Sequence, residues 1–461
     1  MNRRKFLASL AAAGATTSLP GFGEDAAKAT LAVDASKTGP TMRLDFTGLS
    51  YESAQLANPA FFAPSNRQLV ELFRELSPNG NLRLGGGSSE FTTYSDADPV
   101  GPPPFEVFGP DTSKTEKHGT ITTALALHNL RGFLDAAGWS CLYGLNLGQG
   151  TKENAATEAA AAFRILGPRL LALQIGNEPD SFRNRYRPAA WGPDDFLKEW
   201  SEFHSAIIAA VPGAKFAGPD ISNKLPFLTA FAEQAPKFKD VILLTGHYYA
   251  MGPAGSPGAT LDQLAEIDPK QATMHASGFP IVADAMRAAS LPFRMSEGNS
   301  CWNGGQPGVS DTFASALWCA DRMLRFAAMG WSGVNLHGGG DGIYSPITGA
   351  PSTGFVRRPE YYGIQFAQSF AGAQFVESNV SPIPAGIRTY TLVQAGHMRV
   401  AVLNQSGTAM RLTLPKRTTG HALKLTAPGL LSTDAVSFGE ARVPRSREVE
   451  VAGYTGMIYE L

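Results

Sequence analysis

This sequence offers no disulfide framework, no thiolate metal site, no nucleic-acid surface and no membrane span. Its three cysteines, Cys141, Cys301 and Cys319, are an odd number without metal-ligand spacing, so they read as buried thiols. The 39 basic residues almost balance the 40 acidic ones, and no basic stripe marks a nucleic-acid partner. Past residue 28 no apolar run is long enough to cross a bilayer. Internal repeats and coiled-coil heptads are absent too, which removes solenoids and long coiled coils from consideration.

What is there is a long chain rich in turns. Single cores seldom grow beyond about 250–300 residues, so 461 residues point to two domains. The 49 glycines and 32 prolines are spread along the whole length, as turns between many short elements require. The amino terminus stands apart: Arg3-Arg4-Lys5-Phe6-Leu7, the apolar Ala8 to Ala15 and small residues before Ala29 form a targeting segment over 1–28. Paired arginines followed by Phe-Leu resemble a bacterial twin-arginine signal, which implies export, with the periplasm as the expected location. An ordinary secretory signal is the alternative.

From Leu44 onward strand-like and helical runs alternate, the pattern of a parallel α/β sheet. Strands are expected at 45–52, 81–87, 140–148, 170–177, 214–220, 241–249, 292–297 and 333–338. Helical periodicity fills Asn154 to Leu166, Asp195 to Ala210 and Ser310 to Met329. The count and order predict a (β/α)8 TIM barrel over 40–362. Beyond Phe366 the texture changes to alternating strands and turns, read as an appended β-sandwich domain over 363–461. A strand at 29–36 has no place in the barrel and is expected to complete that sandwich.

Two of the barrel runs close on a glutamate: Glu178 in Leu170-Leu-Ala-Leu-Gln-Ile-Gly-Asn-Glu-Pro179, and Glu297 in Pro292-Phe-Arg-Met-Ser-Glu-Gly-Asn-Ser300. The gap fits three βα units of roughly 30 residues with loop insertions, which puts the pair on the fourth and seventh strands. Chemistry in such barrels sits at the C-terminal strand ends, so both carboxylates are expected at one mouth. Retaining glycosidases need two carboxyl groups roughly 5–5.5 Å apart, one to attack the anomeric carbon and one to protonate the leaving oxygen. Glu297 is read as the nucleophile and Glu178 as the acid/base, held protonated by apolar surroundings and by the charge of Glu297. Asn177 is placed to hydrogen-bond the sugar's 2-hydroxyl.

Ile175-Gly-Asn-Glu-Pro179 resembles the acid/base motif of clan A glycoside hydrolases, and Ser296-Glu-Gly-Asn299 resembles their nucleophile strand. Within that clan the chain is similar to glycoside hydrolase family 79, the β-glucuronidases and heparanase-like enzymes. Leu82-Arg-Leu-Gly-Gly-Gly-Ser-Ser-Glu90, Tyr143-Gly-Leu-Asn146, His247-Tyr-Tyr249 and His337-Gly-Gly-Gly-Asp-Gly-Ile-Tyr344 carry that narrower match. The resemblance implies a retaining β-glucuronidase acting on a glucuronate-containing oligo- or polysaccharide. It implies that Tyr248 or Tyr249 hydrogen-bonds the nucleophile. It also implies that Tyr344 with backbone amides near Gly304 and Gly305 holds the glucuronate carboxylate. Neutral donors can bind an anion, which accounts for no Arg or Lys standing out in these strand-end motifs. Trp302 departs from the pattern, standing where a tyrosine donor is expected; it keeps one N–H and a face for a sugar.

The remaining candidates carry two readings each. Glu90 is either a pocket residue or a turn cap, and Asn146 is counted with the substrate-binding residues. His247 and His337 are barrel-mouth hydrogen-bonding residues or direct catalysts, and no third ligand at a recognisable spacing makes them a metal site. No cofactor is called for. The glycines at 85–87 lack the Lys-Ser/Thr of a phosphate loop and are read as a turn at the barrel top. The alternatives in function are another clan A glycosidase for neutral sugars, such as an arabinofuranosidase, and a catalytically silent glycan-binding protein.

Overall fold

The computed structural model describes residues 27–97, 107–108, 115–116, 119–265, 278–338 and 342–461. The targeting segment expected over 1–28 therefore lies outside the described residues but for its last two. Part of the His337-to-Tyr344 motif, 339–341, lies outside them as well.

Eight parallel strands close into a barrel. In chain order they are Thr47–Glu52, Asn81–Gly85, Ser140–Leu145, Leu170–Ile175, Phe216–Ile221, Val241–Pro253, Phe293–Trp302 and Gly333–His337. The ring shuts where Val334 to His337 of the eighth strand pair with Thr47 to Ser50 of the first. The expected (β/α)8 barrel is thus present. Helices such as Arg67–Leu76, Lys152–Leu166 and Pro193–Ala210 follow the strands and bury one apolar stripe each, as Phe196, Trp200, Phe203 and Ile207 do in the last of these. Thr151 caps Lys152–Leu166 by accepting from the Asn154 N–H at 3.2 Å.

Two boundaries differ from expectation. The seventh strand does not stop at Glu297 but runs on to Trp302, because Gly298 and Asn299 pair with Tyr248 and Tyr249 of the sixth strand and Cys301 with Met251. The expected edge of the barrel at 362 falls inside helix Pro359–Gln368, which follows the eighth strand and buries Tyr361, Ile364, Phe366 and Ala367. That helix is the last of the barrel's outer layer, so the second domain begins after it.

The second domain is one nine-stranded sheet, ordered Ser437–Arg442, His421–Thr426, Thr455–Glu460, His397–Asn404, Ile387–Gln394, Gln374–Ser381, Ala27–Thr41, Met410–Thr413, Glu448–Val451. It curls so that strands from both ends share one core, with Ala422 and Tyr459 in the same cluster as Leu412 and Val451. The long first strand pairs antiparallel with Gln374–Ser381 and parallel with Met410–Thr413. The period of two decides what faces where: Val400 and Val402 enter this core, while Ala401 and Leu403 turn to the core shared with the barrel. Tyr390 crosses the junction and donates to Asp321 at 2.6 Å.

Candidate active site

Alternation along the second strand puts Leu82 and Leu84 under the helices and aims Asn81 and Arg83 into the barrel. Arg83 is fully buried and its guanidinium is the hub of the lumen. It donates to Glu297 Oε2 at 2.6 Å, Asp220 Oδ2 at 2.5 Å, Asn177 Oδ1 at 2.7 Å and Gln174 Oε1 at 3.2 Å. The glycine run beside it now has a cause. A Cβ on Gly85 would stand 2.2 Å from the Arg83 guanidinium carbon, and one on Gly86, where φ is +72°, would strike the Glu52 carboxyl.

Strict alternation from Arg294, which also points inward, would turn Glu297 outward. A bulge prevents this. Met295 pairs with Gly246 and Glu297 with His247, so Ser296 is an extra residue, and both Ser296 and Glu297 face the lumen. Ser296 donates to Asp220, while Glu297 Oε1 accepts from the Tyr249 hydroxyl at 2.8 Å. Glu178 sits just past the fourth strand at φ 50°, and Asp220 in the fifth at φ 63°, left-handed conformations uncommon outside glycine. The Glu178 N–H donates to the Asp220 carbonyl at 2.9 Å, which ties these two turns together. Residues held in such regions cluster at active sites.

The pair meets over His247. Its Nδ1 lies 2.9 Å from Glu178 Oε1 and 3.9 Å from Glu297 Oε1, and its Nε2 faces Asp220 Oδ2 at 3.4 Å. One ligand-type atom from each of Glu178, His247 and Glu297 lies within 4.8 Å of the other two. The fold therefore assembles a three-donor cluster that sequence spacing did not reveal. A divalent cation there would stand beside the Arg83 guanidinium already bound to Glu297, so the donor set suits proton sharing better than metal binding.

Charges in this lumen balance in pairs. Burial opposes ionisation of Glu297, yet His337, His247, Arg83 and the Tyr249 hydrogen bond outweigh it and hold the carboxyl down at about 2. Asp220 is likewise depressed: burial is outweighed by Arg83 and His247. Glu52, opposite His337, is lowered despite burial. Both histidines are raised, against burial, by these carboxylates. Three cations thus face three carboxylates, and Glu178 is the one left over. Burial raises its pKa more than His247 lowers it, and the nearby charges of Glu297 and Asp180 add to the rise. Glu178 keeps 32% of its side chain open to the pocket; Glu297 keeps 9%.

The pocket above has a volume of about 500 Å³ and includes Glu52, Glu178, Tyr249, Glu297, Trp302, Gly304, His337 and Tyr344 in its lining. Trp302 stands at the rim, 43% exposed. His337 receives or gives a bond at Ser50 Oγ, 3.1 Å away. Among the described lining residues there is no lysine or arginine.

Other expected site residues fall elsewhere. Tyr248 alternates out of the barrel and packs edge-on against Phe326, so Tyr249 alone of the two reaches the nucleophile strand's carboxylate. Glu90 is buried beneath the mouth and accepts the backbone N–H groups of Gly148 and Asn177; burial pushes it up to about 7. Asn146 caps the turn after the third strand, accepting from Gln149 and Gly150 N–H at 2.9 and 2.8 Å and donating to the Thr92 carbonyl. Gly305 lies behind the lining against Ser310 and Tyr344, whereas Gly304 reaches it. Asn177 is buried with its Oδ1 taken by Arg83, which leaves its NH2 as the donor it can offer. Arg83, Asp220 and Glu52 were missed. The available signal was a charge in the middle of an apolar strand, as in Leu82-Arg-Leu84.

No protein-family model matches the chain. A β-glucuronidase of Neurospora crassa is 27% identical over 323 residues, 63% of this chain and 56% of that protein. A β-glucuronidase of Aspergillus niger is 24% identical over 388 residues, 78% of this chain and 69% of that one. The chain thus spans little more than half the length of the Neurospora relative. The crystal structure of a 4-O-α-L-rhamnosyl-β-D-glucuronidase from Fusarium oxysporum superposes with a TM-score of 0.71 at 18% identity, over 94% of this chain and all (100%) of that one. A family 51 arabinofuranosidase from Xanthomonas axonopodis pv. citri follows at TM-score 0.68 and 15% identity, covering 94% of this chain and 99% of its own. At such identities the solved structures establish the fold alone, a barrel with an additional domain.

Proposed function

We propose that the protein is a retaining β-glycosidase that hydrolyses β-linked glucuronic acid from glycans. The observation that carries this reading is that two glutamates meet in one pocket with their carboxyls shifted in opposite directions. Glu297 is ionised and fixed by Arg83 and Tyr249; Glu178 is raised and open to the pocket. Their nearest oxygens lie within 4.8 Å, which favours the short separation of retaining enzymes over the roughly 6.5–9.5 Å of inverting ones.

In this mechanism Glu297 attacks the anomeric carbon, and Glu178 gives its proton to the leaving oxygen. The glycosyl–Glu297 ester forms as the glycosidic bond breaks. Glu178, now a carboxylate, removes a proton from water, which attacks the same carbon and returns Glu297 to its starting state. His247, between the two carboxyls, steadies the charge that moves from one to the other. Arg83 and Tyr249 keep Glu297 ionised and aimed.

Glucuronate as the sugar is supported by the similarity to two β-glucuronidases. Tyr344, Gly304 and Trp302, all in the pocket lining, carry neutral donors suited to a carboxylate. A neutral sugar is the second reading, favoured by the absence of lysine and arginine among the described lining residues. Export to the periplasm is supported by Arg3-Arg4-Lys5-Phe6-Leu7 and the apolar stretch after it. Among the described residues no helix is long and apolar enough to cross a membrane.

The test is hydrolysis of 4-nitrophenyl β-D-glucuronide beside the β-glucoside, β-galactoside, β-xyloside and α-L-arabinofuranoside, with Glu297→Ala as control. Release from the glucuronide, lost in the variant, is the expected result. Release from a neutral glycoside alone would move the specificity and keep the mechanism; release from none would overturn the proposal.

A further inference from the structure

A general acid must reach the leaving oxygen, so the pocket wall beside Glu178 is where the departing part of the substrate lies. Two turns build that wall. Ser181 belongs to the 3-10 turn Pro179–Ser181 after the fourth strand, and Ser222 and Asn223 follow the fifth. Trp302 and His337 end the seventh and eighth strands and Gly304 and Tyr344 follow them, on the nucleophile's side.

Asp180 joins the two turns. Its side chain is 1% exposed and accepts from the N–H groups of Ser222 at 2.9 Å, Asn223 at 3.1 Å and Lys224 at 3.0 Å, and from Ser222 Oγ at 2.7 Å. Lys224 Nζ returns to the Asp180 carbonyl at 2.5 Å. Because Ser222 gives its proton to Asp180, the 3.1 Å contact between the two serine hydroxyls must run from Ser181 to Ser222. Those directions leave Ser181 lone pairs as acceptors at the pocket, next to the exposed Asn223 amide, which can both donate and accept. Besides Glu178, the described lining residues of these two turns, Ser181, Ser222 and Asn223, bring neither a charge nor an aromatic face to the pocket. Such a surface matches the hydroxyl groups of a sugar better than a flat or anionic aglycone.

We propose that Asp180 is a positioning residue which locks the turn at 222–224 beside the acid, so that Ser181, Ser222 and Asn223 receive a hydroxyl-rich leaving group, a second sugar. The proposal rests on the glycosidase reading above and adds the residues that receive the leaving sugar and the one that positions them. Asp180 also lies close enough to Glu178 to help keep it protonated, together with Glu297 from the seventh strand and against His247 from the sixth. The Lys224 ammonium on the Asp180 carbonyl is the nearby cation from the fifth-strand turn, and Asp220 meets Glu178 through its backbone carbonyl.

The experiment measures kcat/KM of the full chain on 4-nitrophenyl β-D-glucuronide and on the β-D-glucuronyl-glucose disaccharides linked (1→2), (1→3), (1→4) and (1→6). Wild type, Asp180→Asn and the exposed-site variant Asn223→Ala are compared. The disaccharide-to-aryl ratio on the best linkage should fall by about tenfold in both variants, the loss of one or two neutral hydrogen bonds. In Asp180→Asn the alkaline limb of the aryl pH profile should also move to lower pH. If wild type releases nitrophenol but cleaves no disaccharide, the sugar wall is overturned. Parallel losses on both substrates with an unmoved alkaline limb overturn the positioning role. Should Asp180→Asn not fold, an unchanged ratio in Asn223→Ala overturns the proposal by itself. Wild type inactive on every substrate is a failure of the glycosidase reading, distinct from these outcomes.

Discussion

Arg83 reaches Glu297 at 2.6 Å from a strand three places away around the barrel. The same guanidinium holds Asp220 at 2.5 Å, so a single side chain pairs with two buried carboxylates, shares their charge with His247, and fixes the direction of one of them. Asp220 in turn accepts the Ser296 hydroxyl, the extra residue of the bulge that turns Glu297 inward. The position of Glu297 and its charge therefore have one common cause.

Arg83→Met should lower kcat/KM by about 10²–10³, the usual cost of removing an electrostatic partner at a reacting centre. It should also destabilise the fold by about 3–5 kcal/mol, because Asp220 and Glu297 lose their buried counter-ion. Glu297 is depressed in the folded state, so its contribution to stability is present above the ordinary carboxylate range and is lost as pH falls toward about 2. Without Arg83 the carboxyl rises, and the acid limb of the rate profile should move to higher pH. Arg83→Lys should recover only part, as an ammonium cannot bridge acceptors in a planar fork. An unchanged acid limb in Arg83→Met would contradict this role.

Glu178→Gln separates the acid from the nucleophile. Loss of general acid catalysis, about 10²–10⁴-fold, should appear on glycosides with poor leaving groups and shrink on dinitrophenyl glycosides. The alkaline limb should vanish, since the raised carboxyl that must be protonated is gone. Equal losses on both substrate types would remove Glu178 from the acid role.

The neighbouring tyrosines should behave in opposite ways. Tyr249→Phe deletes the 2.8 Å hydrogen bond to Glu297 and should reduce kcat by about tenfold or more. Tyr248→Phe keeps the ring that packs on Phe326 outside the barrel and should leave kcat within about twofold. Steady-state kinetics of the two variants under identical conditions decide the matter.

Much of this was legible in the sequence because it depends on pattern. Eight strand runs at regular intervals give the barrel, and glutamates at the ends of two of them mark its mouth. The remainder depends on which face a residue takes. Tyr248 and Tyr249 are adjacent and chemically alike, so only the register of the sixth strand tells them apart. Glu297 faces inward because of a bulge that no local composition announces. Arg83 was visible but sat beside three glycines that drew attention to the turn rather than to the guanidinium that Gly85 makes room for. Glu90 and Asn146 carry side chains suited to sugar binding, yet both are used up on backbone groups of the loops below the pocket. Asp220, in Gly218-Pro-Asp220, has no motif to distinguish it from a turn residue.

A buried acid far from the pocket gives a prediction about stability. Glu158, behind the third strand, accepts from the Tyr143 hydroxyl at 2.8 Å, and burial pushes it up to about 7. Its folded pKa is raised, so the stability it contributes is complete below the ordinary carboxylate range and is lost as pH rises through about 7. Glu90, also raised to about 7, acts in the same direction. Tm should fall by a few degrees between about pH 5 and pH 8. Glu158→Gln, whose carbonyl still accepts from Tyr143, should flatten that slope; a slope identical to wild type would contradict the assignment.

The most direct measurement follows the first anomer released from 4-nitrophenyl β-D-glucuronide by proton NMR, before mutarotation mixes the two. Double displacement through Glu297 predicts that β-glucuronic acid appears first. If α-glucuronic acid appears first, the two glutamates act by single inversion and the covalent role of Glu297 is wrong.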